Sequence, residues 1–295
     1  MKLSLIIPCR DKNDPKLAEL LKSIEVQDFS KLDMEVLIIT EGTSESAKAI
    51  GIRKAKGEVI GILASDNELG DCQTLSWCFS EAKFEGACYP AYYAWWLRDN
   101  VLNRYFALIG GNDPLCYYMG KNDRYKYPKG YPYEDKSTNL SYGDNGFFIR
   151  KDIIEKTDLD NYYHIDNIIE TGIQPIPMAQ LDIWHKTGGN IFSFFSKRYR
   201  YGLQHAFNKN RRWHLVDFRQ PKDIVRLIWF IVCTLTIIQP LYLSFRGYRK
   251  IQDVAWFLHP IICFLFLMTY TILMIHLGLR QLFQSLFVPM VAQRA

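Results

Sequence analysis

The apolar run Glu58-Val59-Ile60-Gly61-Ile62-Leu63 passes directly into Ala64-Ser65-Asp66-Asn67-Glu68. A short, β-branched run of this kind, opened by Lys56-Gly57, reads as a strand buried on both faces. That confines the chain to α/β architectures with helices on both sides of a sheet. Carboxylates at the C-terminal end of such a strand stand at the mouth of an open sheet, where these folds take ligands. Two acids at i and i+2, Asp66 and Glu68, can share a hard divalent cation, and the cation can hold a diphosphate. A polar turn after a strand is the plainer alternative that the pattern alone leaves open.

The neighbouring pattern extends the sheet. Leu3–Pro8 reads as a first strand ended by Pro8, too short for a signal peptide. Pro15–Val26 reads as a helix, with Asp14 as N-cap and Leu17, Leu20, Leu21 and Ile24 on one face. Met34–Thr40 is a second strand, Ser44–Lys54 a second helix and Glu58–Leu63 a third strand. This βαβαβ order predicts parallel pairing with right-handed crossovers. No Gly-x-Gly-x-x-Gly follows the first strand, so the dinucleotide fingerprint is absent. Further on, the pattern predicts a helix at Cys72–Phe84, an aromatic strand at Ala87–Trp96 and a helix at Arg98–Ile109 ended by Gly110-Gly111. Asn112 to Gly146 reads as one long irregular stretch, of the kind that serves as a lid or binding loop. A strand at Phe147–Arg150, short helices at Lys151–Glu155 and His164–Thr171, strands within Pro175–His185 and a basic amphipathic helix at Ile191–Phe207 complete the soluble part.

The composition changes near Asp223. Ile224–Phe245 and Val254–Leu279 are almost continuously apolar, each near the ~20 residues that cross a bilayer as a helix. Arg246, Arg249 and Lys250 fill the loop between them, against the usual bias for an external loop. Two arrangements follow: a two-span hairpin with both ends cytoplasmic, or a pair of interfacial or re-entrant helices. Residues 280–292 read as an amphipathic tail helix at the interface. We therefore expect a catalytic domain over 1–215 and a membrane-associated helical region over 216–295. The net charge of +5 is modest, and without a nucleic-acid-binding motif it points away from that partner. Seven cysteines, none in a C-x-x-C pair, suggest neither zinc nor a disulfide framework and fit a reduced, cytosolic catalytic part.

Leu5-Ile6-Ile7-Pro8-Cys9-Arg10, Ala47-Lys48-Ala49-Ile50-Gly51 with Ala55-Lys56-Gly57-Glu58, Ala64-Ser65-Asp66 and His164-Ile165-Asp166 stand in an order and spacing that resembles family 2 glycosyltransferases of the GT-A fold. The resemblance covers roughly residues 3 to 200. It implies a Rossmann-like, mostly parallel central sheet flanked by helices. It makes Asp66 the first ligand of Mg²⁺ or Mn²⁺, with Ser65 beside it, at the place of the family's Asp-x-Asp. The first acid of that motif is Ala64 here, which puts contacts to the sugar ring in doubt more than the metal. Asp166 takes the place of the general base, although the usual preceding Glu is Ile165. Asp144, followed by Asn145 in a glycine-flanked turn, is a rival base or an acceptor-side turn. His185 resembles a histidine that adds a metal or phosphate contact. Pro8, Arg10, Glu41 and Lys48 fall where the family holds its nucleotide. UDP is favoured only because it is common in the family.

Lys186-Thr187-Gly188-Gly189 leads into a helix carrying Lys197, Arg198 and Arg200 on successive turns. Such cations can close over a diphosphate from donor or lipid acceptor, or face anionic headgroups. The tyrosines between Tyr117 and Tyr133 can stack sugars or a prenyl chain, or simply pack the loop. The expected activity is a membrane-attached, metal-dependent, inverting transfer of a sugar from a nucleotide-sugar, with the catalytic domain cytoplasmic. The expected acceptor is a polyprenyl-phosphate- or polyprenyl-diphosphate-linked glycan, in envelope polysaccharide or glycoconjugate assembly. Two alternatives are a non-catalytic nucleotide-binding membrane scaffold and a nucleotidyltransferase. The latter would carry a glycine-rich loop after the first strand, which Pro8-Cys9-Arg10-Asp11-Lys12 lacks. Oligomeric state is not read from the sequence.

Overall fold

The computed structural model describes residues 2–28, 33–119, 145–157, 178–186, 190–207 and 220–292. Strand β1 (Lys2–Pro8) is buried along its middle, with Leu3, Leu5, Ile6 and Ile7 wholly inaccessible. It pairs in parallel with β2 (Asp33–Ile39) on one side and β3 (Val59–Ile62) on the other. The linking helices are α1 (Pro15–Glu25), capped by Asp14, and α2 (Ser44–Lys54), opened by a Thr43/Ser46 capping box. Helix α2 lies so close to β1 that a Cβ on Gly51 would meet Ile6 Cγ2 at 2.4 Å.

Beyond β3 the sheet is mixed. The remaining strands are β4 (Asn67–Leu69), β5 (Ala87–Tyr93), β6 (Phe147–Arg150) and β7 (Met178–His185), in the spatial order β2-β1-β3-β6-β5-β7-β4. β6 is antiparallel to both β3 and β5, β7 runs parallel to β5, and β4 closes the edge antiparallel to β7. The α/β sheet flanked by helices is the expected architecture, with its parallel pairing concentrated at β2-β1-β3. Helix α3 (Thr74–Glu85) packs against this sheet and α6 (Lys151–Ile154) follows β6.

Four local expectations change. The stretch after Asn112 is not irregular throughout, because α5 (Pro114–Met119) follows α4 (Val101–Ile109) almost at once. The three-residue strand β4 is too short to show a period in sequence. The apolar segment 224–245 is two helices, α8 (Pro221–Thr236) and α9 (Ile238–Tyr248), bent by 81°. The break falls at Ile237, in the left-handed region at φ 63°, because Pro240 has no N–H for the Thr236 carbonyl and its ring crowds that oxygen. A 3₁₀ turn (Val254–Leu258) leads into α10 (His259–Ala292), one continuous helix where a separate amphipathic tail helix was expected. Among the described residues, Val254–Gln281 is long and apolar enough to cross a membrane. Helix α7 (Ile191–Phe207) has the predicted bounds and packs along α10. The expected helix at 164–171 lies outside the described residues.

Candidate functional site

The parallel register of β2, β1 and β3 brings three strand ends to one edge: Pro8 lies opposite Ile39, and Ile6 opposite Ile62. The loops that follow form a cleft of about 260 Å³. Pro8, Cys9, Arg10, Asp11 and Asp14 make one wall, and Ile39, Gly42, Thr43, Ser44 and Ala47 the next. Leu63, Ala64, Ser65 and Asp66 form the floor, and Lys197, Arg200, Tyr201 and Gln204 of α7 cover it. Those four positions follow i, i+3, i+4, i+7, one face of a helix.

Asp66 is the centre of charge. It is 7% exposed and held by antiparallel pairing of the next residue, Asn67, with His185. One carboxylate oxygen lies 3.4 Å from His185 Nε2 and the other 3.5 Å from Lys197 Nζ. Burial alone would raise its pKa, but His185, Lys197 and Lys16 outweigh that and hold the carboxyl well below the usual range. Asp66 is therefore ionised at any working pH. Lys197 is partly exposed, and its ammonium pKa is raised: burial lowers it, but Asp66 prevails.

A buried amide network fixes this geometry. Asn67 Oδ1 accepts from Ala64 N–H at 2.8 Å, closing the turn that carries Asp66. Asn67 Nδ2 donates to Asn145 Oδ1 at 3.0 Å and to Trp184 O at 3.3 Å. Asn145 Nδ2 lies 2.9 Å from Tyr93 Oη and 3.3 Å from His185 Nδ1, and the Tyr93 and His185 rings stack. Asn112 Nδ2 lies 3.1 Å from the same nitrogen, while its own Oδ1 is buried without a partner among the described residues. Turning the Asn112 amide over, which changes no shape, places that oxygen on a His185 Nδ1–H. Without a metal, His185 Nε2 faces Asp66 as a donor, in keeping with the lowered Asp66 pKa; a metal on the Asp66 side would take the Nε2 lone pair instead.

That orphaned oxygen bears on the metal the resemblance implies. Asp66 and His185 supply one hard oxygen and one nitrogen on a common side, and Asn112 can set the tautomer that ligation requires. Among the described residues no third His, Cys, Asp or Glu joins them. The pair suits a cation that keeps most of its coordination for phosphate oxygens and water.

The other expected residues fall into separate places. Pro8, Arg10, Ser65, Lys197 and Arg200 line the cleft, and Asn145 lies in the network behind it. Glu41 is exposed at the end of β2 and is not part of the lining, although its neighbours are. Lys48 is wholly buried on α2, behind the wall, so it is neither a solvated lysine nor a lining residue. Arg198 does not share the face of Lys197 and Arg200. It donates to Asn112 O at 2.9 Å and stacks on Phe194 and Phe266, towards α10. One residue further along a helix turns a side chain by ~100°, which separates neighbours the sequence groups together. Glu68 points out of the site and pairs with Lys186 at 2.5 Å. Asp166 and Asp144 lie outside the described residues, as does the turn 187–189.

Sequence reasoning missed Asn67, Asn112, Tyr93, Tyr201 and Gln204. The first two are amides whose roles exist only after β4 meets β7; the last two follow from helical spacing once Lys197 is placed. It also missed a smaller recess on the far side of His185, lined by Tyr93, Asp99, Asn103, Asn112 and Trp184 among others. The carboxyl pKa of Asp99 is raised there by partial burial.

No family model matches the chain, and no curated protein matches it. Among solved structures it is similar to a mannosyltransferase, PcManGT, from Pyrobaculum calidifontis in complex with GDP-Man and Mn²⁺. The identity is 14%, the TM-score 0.47, and 89% of this chain and 86% of that one are covered. It is also similar to S. aureus TarS in complex with UDP-GlcNAc, at 12% identity and TM-score 0.37, covering 69% of this chain and 66% of that one. A Drosophila galactosyltransferase 7 mutant with manganese, UDP-Gal and xylobiose matches at 12% identity and TM-score 0.36, with 62% and 70% covered. Two of these are sugar transferases by name, the third is bound to a nucleotide-sugar, and the likeness is one of chain path.

Proposed function

We propose that the protein is a nucleotide-sugar-dependent glycosyltransferase, with a catalytic unit over 1–215 and a membrane-facing helical region over 216–295. One observation carries the reading. A buried, ionised Asp66 ends a parallel strand, faces His185 and Lys197, and opens into a cleft flanked by Arg10 and Arg200. A buried ion pair adds little net stability, because desolvation offsets the attraction, so stability alone does not account for this burial. A carboxylate surrounded by cations suits a ligand that brings both a metal and negative charge, as a nucleoside diphosphate does.

The nucleoside would lie between the loop after β1 and the start of α2. Asp66 and His185 would hold Mg²⁺ or Mn²⁺, which when bound offsets charge on the departing diphosphate. Lys197 and Arg200 would bind the same phosphates from α7 and exclude water from above. The chemical step would be a single inverting displacement at the anomeric carbon, with Asp166 taking the acceptor hydroxyl proton. The acceptor would enter on the His185 side, near Asp99, and a polyprenyl-(di)phosphate-linked glycan fits a site held against a bilayer. UDP-sugars are the first donors to try.

The test is a panel of nucleotide-sugars with detergent-solubilised protein and membrane lipid extract, following nucleoside diphosphate release with Mn²⁺ or EDTA. Wild type, Asp66→Ala, Asp99→Asn and Asp166→Asn are compared. Release from one donor, dependent on metal and lost in Asp66→Ala and Asp166→Asn, supports the proposal. Nucleotide binding without release across the panel favours a non-catalytic scaffold.

A further inference from the structure

The C-terminal helices carry enough apolar surface to enter lipid, yet they do not leave the catalytic domain. Helix α8 is tied at its start, where Arg226 donates to Met119 O at 2.9 Å and Phe230 packs on Tyr118. The bend is tied too, because Tyr118 bonds Gln239. The far end returns to the same body. Asp253, with a side chain 1% exposed, accepts from Trp95 Nε1 at 2.9 Å and pairs with Arg104 at 3.1 Å. A segment held at its start, bend and end by one side of the protein does not cross a bilayer between them.

Helix α10 is held in the same way. His259 bonds Tyr105, Phe266 packs against Phe194 and Phe195, Tyr270 bonds Asp113, and His276 bonds Tyr199. A Cβ on Gly202 of α7 would meet Leu273 at 2.4 Å, so the two helices are in close contact there. Residues 259–276 are therefore spent against α4, α5 and α7, and the opposite face of α7 covers the cleft. The sixteen residues 277–292 that remain in the helix reach ~24 Å. They include Arg280, Gln281 and Gln284, polar side chains that a crossing helix would have to carry into the hydrocarbon.

The outward face has the chemistry of a lipid contact. On α10, Ile261, Phe264, Met268, Ile272, Ile275 and Leu279 are exposed at helical spacing, opposite the face that meets α7. Helices α8 and α9 pack against α10 and expose further large apolar side chains. The acids of residues 221–281, Asp223 and Asp253, are buried beside Arg226 and Arg104. The exposed charge is thus positive: Lys222, Arg246, Arg249, Lys250 and Arg280.

The geometry points to a monotopic protein: α8, α9 and α10 form a platform that lies in one leaflet of an anionic bilayer, with none of the described segments crossing it. This rests on the membrane-attachment reading above and decides between its two arrangements. The basic loop 246–250 then sits on the catalytic-domain side, in accord with the usual placement of positive charge.

Native Cys72 is exposed on the catalytic domain and marks its side. The full chain carrying Lys250→Cys or Arg280→Cys is expressed. Sealed membrane vesicles are treated with an impermeant maleimide, and labelled peptides are read by mass spectrometry. Both introduced cysteines are expected to react together with Cys72 in sealed vesicles. Reaction of either from the opposite side, or only after detergent opening, overturns the inference. In a second arm, purified protein is mixed with vesicles of phosphatidylcholine alone or with equal parts phosphatidylglycerol. Arg249→Gln/Lys250→Gln should bind the anionic vesicles about 25-fold more weakly at low salt, roughly fivefold per cation, and the neutral ones unchanged. Protein that stays in the supernatant, or that covers its apolar face by self-association, refutes membrane attachment itself. Neither arm reads transferase activity, so its outcome is separate from that of the donor panel.

Discussion

Replacing Asn67 by Ala tests whether the amide network, rather than the strands alone, holds the site. Asn67 is 1% exposed and makes three bonds, at 2.8 Å to Ala64 N, 3.0 Å to Asn145 Oδ1 and 3.3 Å to Trp184 O. The two shorter bonds contribute about 1 kcal/mol each, and the buried Asn145 oxygen that loses this donor adds about 1 kcal/mol more. The long bond to Trp184 adds little, so the expected loss is about 3 kcal/mol. For a unit of about 200 residues each kcal/mol moves Tm by about 2–4 °C, so Tm should fall by about 6–12 °C. Circular dichroism in detergent at fixed protein concentration reads this. Asn67→Asp preserves volume and the Ala64 bond but sets oxygen against oxygen at Asn145, so it should cost at least as much. Because the same network orients His185, Mn²⁺ affinity in the presence of nucleoside diphosphate should fall about 10–100-fold. A Tm change below about 2 °C in both variants, with cation affinity intact, would refute the reasoning and leave the strand pairing as sufficient.

The charge of Asp66 has a signature in pH. Its folded pKa lies below the unfolded value of about 3.9, so its contribution is present above pH 4 and is lost as pH falls further. Wild type should therefore exceed Asp66→Asn in stability at pH 7, and the gap should narrow below about pH 4; a gap constant with pH in urea titrations would contradict this. Arg200→Ala should raise the donor KM roughly tenfold while leaving Tm within 2 °C, by loss of one charge-assisted contact to phosphate. Arg198→Ala should do the reverse, losing about 1.5–3 kcal/mol of stability through its Asn112 bond with donor KM unchanged. Gly57→Ala would drive a Cβ to 2.6 Å from Ser4 N and 2.8 Å from Lys2 O, backbone atoms that cannot swing away. A loss of about 1–3 kcal/mol is expected, measured by chemical denaturation.

What was legible in the sequence is what local periodicity encodes. The strand Val59–Ile62 is buried on both faces because its residues are uniformly apolar, and a uniform run needs helices above and below it. Asp66 then follows at a known place, the end of a parallel strand, which is why one carboxylate could be singled out before any contact was known. The partners of Asp66 were less legible in proportion to their distance along the chain. His185 and Lys197 reach it across more than a hundred residues, through a β4–β7 pairing only three residues long on one side. Amides give no periodic signal at all, so Asn67 and Asn112 looked like turn residues.

Helix α7 shows the same limit and what the fold does with it. Its bounds could be read from the sequence, but its three cations could not be sorted, because facing is set by what packs on either side. Lys197 and Arg200 look into the cleft, while Arg198, Phe194 and Gly202 look to α10. The helix that covers the cleft is thus also the one that α10 rests on. Any force that moves α10 relative to the catalytic domain acts on the two cations that cover the cleft, and in the proposed monotopic arrangement that force would come from the bilayer under the apolar stripe of α10. A cleft cover and the proposed membrane contact, built from the two faces of one packed pair, cannot be varied independently. The Leu273–Gly202 contact, where a single methyl group would part the helices, is the place where that dependence is tightest.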